Sequence, residues 1–247
     1  MMPLPRPTVV PYVAAWTGEQ NGLFSQLIIR ADGRGLGYED ERPEERDTHG
    51  VLWARMTGER QGLPLFGVAD PRRQREVMEQ MLCQVCGGPS SRTSKGRLFL
   101  MPAPDEPLPP VEHEGAITGE GPVCLTCAAV AVDQCWSLKQ HGAIAVRARK
   151  TARFGAYGSL YHPDASGRLI LVSDDVTVAH GREDIVWLVA AKLLVELRRC
   201  TVVDLAAELR GGAEPGANRA TDHTRSGPGH LPPEGSRSSP GALCPYP

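Results

Sequence analysis

Two Cys-x-x-Cys pairs, Cys83/Cys86 in MLCQVCGGPS and Cys124/Cys127 in GPVCLTCAAVAV, stand 37 residues apart. A two-residue spacer lets both sulfurs of a tight turn face one ion at about 2.3 Å, and a second such turn completes a tetrahedron. If the four thiolates share an ion, the chain must bring two distant turns together. The contexts differ. DPRRQREVMEQMLC reads as a helix capped by Asp70 with Pro71 in its first turn, and it runs into Cys83 and then Gly87-Gly88. Cys124 and Cys127 open a second helix, expected from about Leu125 to Gln140, where free amides stabilise thiolates. A redox pair would sit between a strand and a helix start, which neither pair does. Two unrelated pairs of buried thiols are the other alternative.

A knuckle, an excursion and a ligand pair opening a helix resemble the treble-clef group of zinc folds and, less closely, the zinc ribbon. The resemblance covers residues 81–140. It implies one structural zinc ion held by Cys83, Cys86, Cys124 and Cys127, in a group whose members range from ribosomal and transcription proteins to nucleases. The HNH nucleases of that group need a His, an Asn and a second His near the later pair. This chain offers only Glu112-His113-Glu114 in the excursion, with His113 expected to be solvated, and no Asn in the helix. Four thiolates leave no open position for a catalytic water, so the ion is expected to be a staple.

At 247 residues the chain can bury a core without disulfides. Three further cysteines, Cys135, Cys200 and Cys244, stand alone, which fits a reducing cytoplasm better than a disulfide framework. MMPLPRPTVVPY has prolines where a signal peptide has its apolar run, and no stretch approaches the roughly 18 apolar residues of a membrane span. A soluble cytoplasmic protein is expected. Arginine outnumbers lysine 23 to 4, as expected of a GC-rich bacterial genome.

The fold class expected is α+β: small antiparallel β segments, a treble-clef-like zinc-bound helix and a long buried C-terminal helix. The first 80 residues read as β-rich and end in a helix, with Asp-Gly in DGRGLG marking a hairpin and YEDERPEERD a solvated acidic loop. Residues 81–141 form the zinc-binding segment. Residues 142–210 read as a meander of three strands, AIAVRAR, FGAYGSLY and RLILVSDDVTVAHG, followed by helices. The helix expected over 182–199, REDIVWLVAAKLLVELRR, has acids first, arginines last and apolar residues on most faces, a candidate for oligomerisation through Trp187. Thr201 and Asp204 are placed like a capping box for the next one. Residues 211–247 are poor in apolar residues and are expected to be disordered.

The net charge of −2 gives no global basic field. Locally, Gln134 to Pro163 contains no acid, while Lys139, Arg147, Arg149, Lys150 and Arg153 are basic and Tyr157 follows. These residues are a candidate patch for nucleic acid or an acidic protein, against the alternative of an ordinary solvated face. Asp47/His49, His162/Asp164 and Asp174/Asp175 are candidate acid/base groups, but their composition reads as turns and no nucleophile accompanies them. A binding protein is the preferred reading, and an enzyme with its site in the flanking β-rich segments is the alternative.

Overall fold

The computed structural model describes residues 7–21, 27–103 and 113–211. The expected tail from 212 onward and residues 104–112 of the excursion lie outside these. The described chain is a mixed α and β protein. It opens with β1 (Ala14–Trp16), β2 (Glu19–Asn21) and the hairpin of β3 (Leu27–Ile29) and β4 (Leu36–Tyr38), whose turn is the expected DGRGLG. Strands β5 (Leu52–Trp53), β6 (Met56–Gly58) and β7 (Pro64–Ala69) follow; β1 pairs with β7 and β2 with β6, both antiparallel.

YEDERPEERD is not a free solvated loop. Pro43–Glu45 form a 3-10 turn. The Arg46 guanidinium donates to Glu41 and to the Leu36 carbonyl, and Arg55 donates to Glu45 and Asp40 while lying over the Tyr38 ring. Charge alternation that reads as solvation along the chain is internal pairing in three dimensions.

Helix α1 (Pro71–Gln80) starts as expected: buried Asp70 accepts from the amides of Arg72 and Arg73. It stops at Met81, whose left-handed φ of 55° lets its amide bond back to the Val77 carbonyl. Beyond it lie β8 (Arg92–Thr93), β9 (Gly96–Pro102), β10 (Ile117–Thr118), α2 (Leu125–Gln134) and α3 (Trp136–His141). The single expected second helix is thus broken at Cys135, which takes an extended conformation and leaves Trp136 exposed.

The main sheet contains seven strands. Its axis is β11 (Ala143–Pro163), 21 residues long, so AIAVRAR and FGAYGSLY are one strand and the expected turn between them does not form. Along one side it pairs antiparallel with β13 (Leu188–Val203) from Ala145 to Leu160. Along the other it pairs with β9 at one end and with β12 (Leu169–Ala179) at the other. The outer side of β13 carries β10 antiparallel and β5 parallel.

The long helix expected over 182–199 is overturned. Residues Glu183–Trp187 make a 3-10 turn and Leu188–Val203 are a strand. A run apolar on most faces suits a helix buried all round and a strand buried on both faces equally, and periodicity does not separate them. The β11 ladder decides, and Val189, Val195, Thr201, Val202 and Val203 suit it. Trp187 stacks on His162 with ring centroids 5.4 Å apart and packs beside Leu36, Tyr38 and Leu52, so the helix expected there for oligomerisation does not form. Thr201 lies in β13, and Asp204 alone caps α4 (Leu205–Gly211) by accepting from Ala206 and Ala207.

Helix α1 lies against β13, where Val51, Trp53, Met78, Phe99, Leu188, Leu193 and Leu197 share a core. Buried Gln74 locks the contact: its amide group donates to the Gly119 and Leu193 carbonyls at 2.7 and 3.1 Å and accepts from the Leu193 amide at 2.8 Å. Gln74→Leu leaves these buried backbone groups without partners and is expected to lower unfolding free energy by about 3 kcal/mol, measured by urea denaturation.

Candidate metal centre

The first knuckle is set by the end of α1. After Met81 turns the chain, Leu82 donates to the Val77 carbonyl, Cys83 donates to Gly88 at 2.7 Å, and Gly87 returns a bond to Cys83 at 2.8 Å. Gly87 has φ of 73°, and a Cβ there would press on the Tyr12 ring at 3.1 Å, so glycine is required twice over. The second knuckle is the N-terminus of α2, where the Cys124 sulfur accepts from the Cys127 amide at 3.4 Å. The turns are tied directly, since Gln84 donates to the Pro122 carbonyl and Gly121 donates to the Gln84 side chain. Strand β9 supports both through Val123 to Leu98 and Ser91 to Val123 bonds.

The four sulfurs lie within 4.8 Å of one another. An ion with bonds of about 2.3 Å at the centre of a tetrahedron needs sulfurs about 3.8 Å apart, so the set fits one metal ion with little adjustment. Cys83 and Cys127 are buried, Cys124 is half-buried and Cys86 is exposed at the rim. As free thiols they share protons unequally. Hydrogen bonds from Cys124 and then Cys127 hold the Cys83 thiol far below its ordinary value, and Cys127 is driven up by its hydrogen bonds with Cys124 and Cys83 and by burial. Burial pushes Cys86 up to about 11, with the Gly88 amide opposing. A metal ion held by the four sulfurs would take the place of these protons.

Chain reading missed the cover over this site. Tyr12 and Val13 donate to the Val85 and Gln84 carbonyls of the first knuckle, and the Tyr12 hydroxyl donates to Glu76 of α1. Thr8 donates through its amide to the Gln134 side chain at the far end of α2. No local pattern marks residues 7–13 for this role, because their partners lie more than 60 residues away.

The candidate basic stretch does not stay together. Arg147 has 0% exposure: its guanidinium donates to Glu208 of α4, to the Gly96 carbonyl and to the Ser91 hydroxyl. It is an internal ion pair, and its place in an exposed patch is overturned. Arg153 bonds Glu79 at 2.8 Å, Lys139 sits 3.9 Å from Asp133, and the half-buried Tyr157 donates to Asp175. Arg149 and Lys150 are exposed.

Of the acid/base candidates, Asp47 and Asp164 hold turns, His162 lies in β11, and Asp174 and Asp175 lie in β12. Asp47 accepts from the His49 and Val51 amides, Asp164 from Ser166 and Arg168, and Asp175 has a φ of 60° beside an irregularity in the β11–β12 ladder. His49 stacks on His180 at 4.3 Å, and burial pushes the His180 ring below its ordinary value. His113 is buried at 5% exposure, not solvated. Among the described residues, no helix is long and apolar enough to cross a membrane. Set against protein-family models, curated proteins and solved structures, the chain matches none of them.

The Glu208 carboxyl is held below the usual carboxylate range, chiefly by the hydrogen bonds from Arg147. Its folded value lies below its unfolded one, so the pair contributes fully above the unfolded value of about 4.3 and is lost as pH falls through the lowered folded value. Glu208→Gln is therefore expected to cost about 3 kcal/mol at neutral pH, a difference from wild type that shrinks below about pH 4.3 in denaturation curves taken across pH.

Proposed function

We propose that the chain binds one zinc ion through Cys83, Cys86, Cys124 and Cys127, as a structural staple in a treble-clef-like segment, and that the protein works as a binding module on the surface this staple holds in place. The observation that carries the reading is the convergence of four thiols from two knuckles, each built by a different helix end. An all-sulfur set selects a soft or borderline ion such as zinc over magnesium or calcium. With every ligand position filled by protein, the ion supplies folding energy and offers no site for substrate.

The position of the centre supports a scaffold role. It ties residues 12 and 13, α1, β9 and α2, and its core neighbours Leu98, Leu100, Val123, Ala128 and Leu138 join it to the main sheet.

Native mass spectrometry of the purified chain is expected to show one zinc per molecule, lost on chelation together with the thermal unfolding transition. Cys83→Ser or Cys127→Ser is expected to abolish stoichiometric zinc and lower the midpoint of thermal unfolding. A chelated protein that keeps its midpoint, or a Cys83→Ser variant that keeps its zinc, overturns the staple.

A further inference from the structure

Part-way along the main sheet, where the β8–β9 hairpin leaves β11, cations from three chain segments meet. Arg92 lies directly opposite Arg97 in the β8–β9 hairpin, and Arg97 pairs across the next rung with Ala148 of β11. Lys150 of β11 lies opposite Arg198 of β13, with Arg149 and Arg199 between that rung and the Ala148 to Cys200 rung. The hairpin is pressed onto this place. Gly96 has φ of 113°, and a Cβ on it would stand 2.1 Å from the Ala148 carbonyl oxygen and 2.5 Å from the Arg149 amide. Lys95, the residue before it, is thereby fixed at the same place.

Arg92, Lys95, Arg149, Lys150 and Arg199 are not given carboxylate partners by this arrangement. The nearby acids are committed elsewhere: Glu208 to Arg147, Glu196 to Arg198, and Glu114 to the Arg199 and Cys200 amides. Among the described residues, no ion pair within 4 Å joins any of the five cations to an acid, although Lys95 lies near enough to Glu208 to help hold its carboxyl down after Arg147. Arg97 is pushed below its ordinary value by burial and then by Arg92. Like charges facing each other across a ladder destabilise a sheet. An anionic partner would relieve this repulsion.

We infer that this cationic region of the main sheet, formed by Arg92, Lys95, Arg149, Lys150 and Arg199, binds the phosphate backbone of a nucleic acid. The inference rests on the binding-module reading above and names its partner. Guanidinium forks match phosphate oxygens bidentately, and most of the set is arginine. Neighbouring strands about 4.8 Å apart bring these cations within reach of successive phosphates of one backbone.

The test is fluorescence anisotropy of the zinc-loaded full chain with a labelled 20-base-pair DNA duplex. Micromolar binding is expected at 50 mM salt, with log K falling against log salt at a slope of about −4, the release expected for four to five phosphates. The triple variant K95E/R149E/K150E is expected to weaken binding at least tenfold, whereas R30E/R168E, on surfaces outside the cationic region, stays within twofold of wild type. Zinc content and thermal midpoint of each variant are read alongside, so loss of the staple is distinguished from loss of the surface. A folded, zinc-loaded wild type that fails to bind at 10 µM, or a triple variant that binds as wild type, overturns the inference. Polyglutamate binding as tightly as the duplex overturns it in favour of an acidic polypeptide.

Discussion

The pairing of β11 with β13 is the constraint on which the rest depends. A 21-residue strand ladders with a 16-residue one over most of its length. Neither could stand exposed, because Leu188, Leu193, Val195 and Leu197 need cover on the sheet faces and each side chain contributes about 2 kcal/mol when buried. Helix α1 provides that cover through Val77 and Met78, and Gln74 fixes where it sits by serving the Leu193 backbone. Strands β9, β12, β10 and β5 then occupy the remaining edges of the same pair.

The metal centre is attached to one end of this ladder through β9. Closing a 37-residue excursion costs chain entropy, and an ion shared by the four thiols would offset it while drawing the N-terminal segment, α1 and α2 together. Hydrogen bonds from Tyr12 and Thr8 extend the closure to residues at the start of the described chain. The same stretch holds the buried Arg147 and its partner Glu208: Arg147 lies opposite Leu98, which packs beside Cys83 and Cys127, so the cysteine cluster and an internal ion pair brace β9 and the hairpin before it together. The exposed arginines and lysines nearby stand on paired strands and the hairpin between them.

Much of this was legible along the chain. The zinc-ligand candidates, the Asp70 cap, the hairpin at DGRGLG and the turn at Asp164 were readable because each depends on residues a few positions apart. The centre itself was legible because Cys-x-x-Cys repeats at a spacing that two turns can satisfy. Strand β13 was not, because a doubly buried strand and a buried helix share one apolar signature and β11 makes the choice. Arg147 looked like a surface charge because Glu208, its counterion, lies 61 residues away.

By itself, then, the sequence determined the local devices: helix starts, tight turns and two pairs of thiols able to share an ion. Backbone stereochemistry and side-chain reach act over a few residues, so these are written in adjacent letters. Tertiary structure alone decided which apolar run became a strand, which arginine went inside and which cations were left without carboxylates. Those outcomes depend on the energy of pairing and burial between segments that the linear order holds far apart.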